Sequence, residues 1–193
     1  IGFGGNDIYY TDVAATQVQE ASGGGNDQLY TSVSYVLGSG SHVELLSTNS
    51  HGATSAINLT GNGFANTLYG NAGANTLDGK GGNDSLVGLA GADTFAFTTA
   101  LGTGNIDQIS AFQAALDKIA LDDAVFTGLT LGALAPGAFR TGSAAADADD
   151  RIIYNSASGQ LLFDADGVGG AAAVQFATVS AGLAITASEF TVI

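Results

Sequence analysis

No cysteine occurs among the 193 residues, so neither disulfide bonds nor thiolate metal sites hold this chain together. Proline appears once, at Pro136, and methionine and tryptophan not at all. With so little proline, backbone punctuation falls to the 29 glycines, which supply the positive-φ positions that closely spaced turns demand. Positive charge is almost missing. Lys80, Lys118, Arg140 and Arg151 face 18 acidic residues, for a formal net charge of −14, which makes nucleic acid and anionic membrane surfaces poor partners and cations natural ones. Glutamate is scarce as well (Glu20, Glu44 and Glu189), and the other 15 acids are aspartates, short carboxylates suited to reaching an ion close to their own backbone. No run approaches the length of a membrane span. The opening Ile1-Gly2-Phe3-Gly4 has neither a methionine nor a signal-peptide pattern, and the chain reads as a soluble fragment of a larger protein. An apolar content of 46% is nonetheless enough for a real core.

What is present is a repeat. From Gly61 to Ala96 four blocks of nine follow without a gap: GNGFANTLY, GNAGANTLD, GKGGNDSLV and GLAGADTFA. Each opens on glycine, carries Asn or Asp at its sixth place (Asn66, Asn75, Asp84, Asp93) and an apolar residue at its eighth (Leu68, Leu77, Leu86, Phe95). Glycines let the backbone turn sharply, the sixth place adds a side-chain oxygen, and a short strand follows whose inward residue is the eighth. Two blocks make one flattened coil of 18 residues, so the turn at 61 is expected to lie on that at 79, and 70 on 88.

The nonapeptide resembles the RTX (hemolysin-type) calcium-binding repeat of bacterial secreted proteins. The resemblance implies an all-β fold, a parallel β-roll (RTX β-solenoid), with several Ca²⁺ ions held between stacked turns. The implied ligands are the side chains of Asn66 with Asp84 and of Asn75 with Asp93, plus carbonyls of Asn62, Phe64, Asn71, Gly73, Lys80, Gly82, Leu89 and Gly91. An all-oxygen shell suits a hard cation. Two further copies stand upstream, Gly2 to Tyr9 and Ser22 to Leu29, with Asp7 and Asp27 20 residues apart, so that Gly5, Asp7, Gly25 and Asp27 are expected to share another ion. Segments around Val33–Leu37, Val43–Leu46 and Ala56–Leu59 read as strands of coils whose turns have lost their ligands. The neutral Asn66 and Asn75 should weaken their two sites.

After Phe97 the period stops, which divides the chain into a calcium-binding β-roll over 1–96 and a C-terminal region over 97–193. The latter, with DKIAL, DDRIIYN and GQLLFDADG, is similar to the C-terminal region of serralysin-like proteases and other type I secreted exoproteins. It is expected to be a β-rich cap, with some helical pieces, that covers the solenoid end, its core built on Phe112, Phe126, Phe139, Phe163 and Phe176. Glu189-Phe190-Thr191-Val192-Ile193 resembles an uncleaved type I export signal, and an ordinary last strand is the competing reading. Asp164-Ala165-Asp166-Gly167 lacks the remainder of an EF-hand and reads as a turn, and Asp147-Ala148-Asp149-Asp150 as a solvated loop.

Nothing points to catalysis. HExxH and GxSxG are absent, and His42 and His51 lack the spacing of a helical zinc pair and have no placed acid. Tyr9, Tyr10, Tyr30 and Tyr69 are expected on the outer faces of strands. The expectation is a non-enzymatic calcium-binding module that folds on Ca²⁺ after passing a type I (ABC transporter) secretion channel. It would be extracellular or at the cell surface, and the C-terminal part of a larger protein that carries any activity upstream. A calcium-dependent, self-assembling surface-layer, matrix or filament protein is the alternative, and a sugar-binding module a third reading.

Overall fold

The structure is a computed structural model and describes residues 4–193; Gly2 and Phe3, the start of the first upstream copy, lie outside the described residues. Short strands alternate with turns. They are β1 (Ile8–Thr11), β2 (Gln28–Thr31), β3 (Tyr35–Val36), β4 (Leu45–Thr48), β5 (Leu59–Asn62), β6 (Thr67–Tyr69), β7 (Thr76–Lys80), β8 (Ser85–Val87), β9 (Thr94–Phe97), β10 (Asp107–Ser110) and β11 (Lys118–Leu121). Then come β12 (Gly132–Ala133), β13 (Phe139–Thr141), β14 (Ile152–Asn155), β15 (Gln160–Phe163), β16 (Val174–Thr178) and β17 (Phe190–Val192). Among the described residues the helical pieces expected in the C-terminal half are two single 3-10 turns, Pro136–Ala138 and Ala187–Glu189.

One sheet runs β1-β2-β4-β6-β8-β10-β16-β15-β14-β13 and the other β12-β17-β11-β9-β7-β5-β3. Within the stack every pairing is parallel, and the regular part has the expected period, Thr67 opposite Ser85 and Thr76 opposite Thr94. The fold is a parallel β-solenoid of about six turns, as an RTX β-roll is.

A strand of three or four residues has room for one central inward side chain, and the register lines these up. Leu29, Leu46, Leu68, Leu86 and Ile109 face the core from one sheet. Tyr35, Leu59, Leu77, Phe95, Ile119 and Phe190 face it from the other. All are buried. Burial of each such side chain contributes roughly 1.5–3 kcal/mol, but only when the next coil covers it, which couples neighbouring coils. Tyr9 departs from expectation: it stands opposite Leu29 and packs against the core instead of lying on the outer face, because its place two residues after Asp7 is the inward one.

The nine-residue period ends near Phe97, but parallel pairing continues through β10 and β11. β16 then adds to β10, and β17 to β11, so neither strand is left as an open edge. Phe126 packs edge-on against Phe163 and Phe176 at 5.2 and 5.1 Å, and Phe97 meets Phe176 at 5.0 Å. Phe112 is buried beside Phe95, whereas Phe139 is only half-buried. The last residues, Phe190–Val192, form a sheet strand entered from a capping box between Thr186 and Glu189.

Candidate metal centre

The turns carry two ladders of polar side chains, one along each edge of the solenoid. In each rung one carboxylate oxygen accepts the N–H of the matching residue one coil earlier. Along the first edge Asp27 Oδ1 accepts from Asp7 at 2.8 Å, Glu44 Oε2 from Asp27 at 2.7 Å, Asp84 Oδ1 from Asn66 at 2.7 Å and Asp107 Oδ1 from Asp84 at 3.1 Å. Along the second, Asp93 Oδ1 accepts from Asn75 at 2.8 Å and Asp117 Oδ1 from Asp93 at 3.0 Å. The geometry thus brings together the residue pairs read from the repeat, Asp7 with Asp27, Asn66 with Asp84, and Asn75 with Asp93.

The second oxygens differ. Oδ2 of Asp27, Asp84 and Asp93 is buried, with no hydrogen-bond partner among the described residues. A buried carboxylate oxygen left unpaired is costly, and its presence three times at equivalent places needs a ligand to account for it. The space beside it is kept by glycine: a Cβ on Gly79 would fall 2.1 Å from Asp84 Oδ2, and one on Gly88 2.2 Å from Asp93 Oδ2. A hard cation that takes carboxylate and carbonyl oxygen fits this donor set.

Around these oxygens the backbone is held in unusual conformations. Lys80 and Leu89 adopt φ of 68° and 77°, and Gly82 and Gly91 of 108° and 116°. Gly82 and Gly91 sit directly on the carbonyls of Phe64 and Gly73 one coil earlier, so close that a Cβ would come within 2.7 and 2.4 Å of those oxygens. Gly25 repeats this over Gly5, at 2.3 Å. The carbonyls of Lys80 and Leu89 also accept hydrogen bonds, from the Thr99 hydroxyl and from the Gln113 amide respectively.

The asparagines behave otherwise. Asn66 Oδ1 accepts the Asn62 N–H at 3.0 Å and its Nδ2 donates to the Val43 carbonyl at 2.8 Å; Asn75 does the same with Asn71 and Ile57, both at 2.8 Å. Asn62 Nδ2 reaches the carbonyls of Gly38 and Ser41, and Asn71 Nδ2 that of Ser55. An amide supplies both a donor and an acceptor, so it ties a turn to the preceding coil without an ion.

Burial pushes the carboxyls of these turns up. Asp84 is raised to about 8 and Asp107 to about 7, each by loss of water and then by nearby carboxylates, against the lowering effect of the ladder hydrogen bond. Asp93 is raised to about 6 and Asp117 in the same direction, again chiefly by desolvation.

Asp107, Asp117 and Glu44 were not among the residues picked from the repeat. Their signal is the triplet of acid, any residue, apolar (Asp107-Gln108-Ile109, Asp117-Lys118-Ile119, Glu44-Leu45-Leu46), the end of the nonapeptide; Asp107 also has Gly102 and Gly104 at the first and third places before it, whereas Asp117 has no glycine there. Asp150, Asp164 and Asp166, by contrast, spend their oxygens on backbone N–H groups of their own turns, including Ala146, Gly167 and Gly170. His42 stacks on Phe64 at 4.0 Å, and His51 Nε2 lies 3.0 Å from Ser47 Oγ while its ring stacks on Tyr69.

Residues 60–95 match the family model of the RTX calcium-binding nonapeptide repeat, in four copies. These are repeats that bind multiple Ca²⁺ ions. No curated protein matches the chain. None of the helices in the described residues is long and apolar enough to cross a membrane.

Proposed function

We propose that this chain is a folding switch operated by calcium: the two ends of its carboxylate ladders stay open until Ca²⁺ is present, and the solenoid closes over the ions. The observation that carries this reading is the pair of oxygens without a hydrogen-bond partner among the described residues, Asp84 Oδ2 and Asp93 Oδ2, beside space that Gly79 and Gly88 leave free. Calcium supplies positive charge and a many-oxygen shell at those points. The turn pair Asp84/Asp107 and the pair Asp93/Asp117 would each hold an ion, with carbonyls of the stacked turns completing the shells. The Asp7/Asp27 turns belong to the same scheme. Asn66 and Asn75 tie their turns to the preceding coils through amides.

Without calcium the ladder carboxylates repel one another and lose hydration for nothing, which favours an open chain able to pass a narrow export channel. Extracellular calcium modules bind at roughly 0.1–1 mM, and a tenfold excess over Kd contributes about 1.4 kcal/mol per site. Two or three stacked sites are then a large fraction of the stability of a domain. The same proposal includes delivery through a type I secretion system, an extracellular location and a position at the C-terminal side of a larger protein; the RTX repeats support it.

Far-UV circular dichroism during a calcium titration tests the switch. β signal should rise with calcium and not with magnesium, and the rise should be weakened in Asp84→Ala/Asp93→Ala. A full β signal in excess chelator with no bound ion would make this an ordinary solenoid.

A further inference from the structure

We infer that Asp7, Glu20 and Asp27 form a three-carboxylate site for a hard divalent cation, different in make from the repeat turns and completed by Glu20, a residue outside any repeat. One carboxylate oxygen from each of the three lies within 4.8 Å of the others. Glu20 and Asp27 are 4% and 0% exposed. Asp27 gives Oδ1 to the Asp7 N–H, and its Oδ2 has no partner among the described residues.

The direction in which these oxygens point is set by Gly24. A Cβ built there would stand 3.1 Å from Glu20 Oε2, 3.1 Å from the Ala21 carbonyl and 3.4 Å from Asp27 Oδ2, so three oxygens converge on a space that no side chain occupies. In the regular array, by contrast, the matching space beside Asp84 belongs to the opening glycine of its own nonapeptide.

Glu20 precedes the second upstream copy, which begins at Ser22, and sits in the stretch between β1 and β2. Two contacts fix it in place. The Tyr9 hydroxyl donates to Glu20 Oε1, and the Glu20 carbonyl accepts the His42 N–H at 3.2 Å. Tyr9 therefore faces inward for a reason beyond packing: its hydroxyl orients the added carboxylate. The ion pairs among the described residues are Lys80 with Asp78 and Arg140 with Asp150, so neither a lysine nor an arginine neutralises this cluster.

Three carboxylates in one place concentrate more negative charge than a turn pair, and calcium affinity rises with ligand charge count. The site should fill at roughly tenfold lower calcium than the array. Its residues lie outside the matched span 60–95; the inference rests on the reading above for the Asp7/Asp27 turns and adds Glu20 to them as a third carboxylate.

Terbium, which takes calcium's oxygen ligands, reads the site directly, because Tyr9 is placed to sensitise an ion beside Glu20. On the full chain, terbium emission excited through tyrosine should saturate in a tight phase, and calcium calorimetry should show a matching tight step. Glu20→Gln should remove both and leave the weaker calcium steps and the β transition. Asp84→Asn/Asp93→Asn should do the reverse, removing weak steps and keeping the tight one. Tyr9→Phe should cut the emission several-fold, a result that does not depend on how Glu20→Gln folds. Wild-type emission in Tyr9→Phe, an unchanged tight step in Glu20→Gln, or a wild-type chain with no step tighter than the array's overturns the inference. Loss of the weak steps' dependence on Asp84 and Asp93, with the tight step intact, would instead count against the switch.

Discussion

Asp84 accepts the backbone N–H of Asn66 through Oδ1 at 2.7 Å, while its Oδ2, buried and unpartnered among the described residues, faces the turn that Gly79 opens. Asn66 itself, at the same place one coil earlier, uses an amide to hold both its own turn and Val43. The two residues solve one problem in two ways, one by amide hydrogen bonds and the other by presenting a carboxylate oxygen to a cation.

Turning the aspartates into asparagines should trade calcium response for calcium-free stability. Asp84→Asn and Asp93→Asn remove a buried negative charge whose Oδ2 has no hydrogen-bond partner among the described residues, and keep the Oδ1 acceptor of the ladder. The β signal in chelator should rise, as folding becomes more favourable by about 1–3 kcal/mol, and the further gain on adding calcium should shrink.

The converse change should create dependence on calcium. Asn66→Asp loses the bond to Val43 and places a second carboxylate beside Asp84. Denaturant titrations at a fixed low calcium concentration should show a loss of about 1–3 kcal/mol, recovered in part when more calcium is added.

Glycine-to-alanine substitutions test the space itself. In Gly79→Ala and Gly88→Ala the new Cβ would fall 2.1 and 2.2 Å from the aspartate oxygens, so the side chain must move and the ion's place is lost. Calorimetry should show one fewer ion for each variant, with a stability cost of about 1–3 kcal/mol from the overpacking. Gly52→Ala, whose Cβ would meet nothing within 4 Å, is the control and should bind as wild type.

Acidity should act in opposite directions with and without calcium. In the folded, ion-free chain burial pushes Asp84, Asp107 and Asp93 up to about 8, 7 and 6, from an ordinary value of 3.8. The folded state therefore binds more protons than the unfolded one between these limits. Its stability is fully present below about 4 as far as these groups are concerned, and is lost as pH rises through 6 to 8. The β signal in chelator should be larger at pH 5 than at pH 9. In saturating calcium the order should reverse, since protons then compete with the ion.

Much of this was legible in the sequence because the repeat is strict. The eighth-place residues Leu68, Leu77, Leu86 and Phe95 all point inward, and turns 18 residues apart stack. Asp117 lacks the glycines that announce a turn, and Asp107, which has Gly102 and Gly104 before it, stands five residues out of phase with the unbroken array, although their ladder bonds are the same as those of Asp84 and Asp93. Which way an asparagine uses its amide is also not a matter of spacing; it depends on a carbonyl such as Val43 being within reach, which the preceding irregular coil decides. Glu20 reaches its place through a loop between coils, and no period marks it. Tyr9 was the reverse case, since its eighth-place position already implied the inward orientation that its aromatic, half-polar character argued against.

The most direct test of calcium in the turns is a crystal structure of the calcium-loaded chain with anomalous scattering used to locate the ions. Peaks should appear beside Asp84 Oδ2 and Asp93 Oδ2, ringed by carbonyls of the stacked turns, with none between Asn66 and Val43 or between Asn75 and Ile57. A fully folded solenoid grown in saturating calcium with no peak at either aspartate would contradict the account.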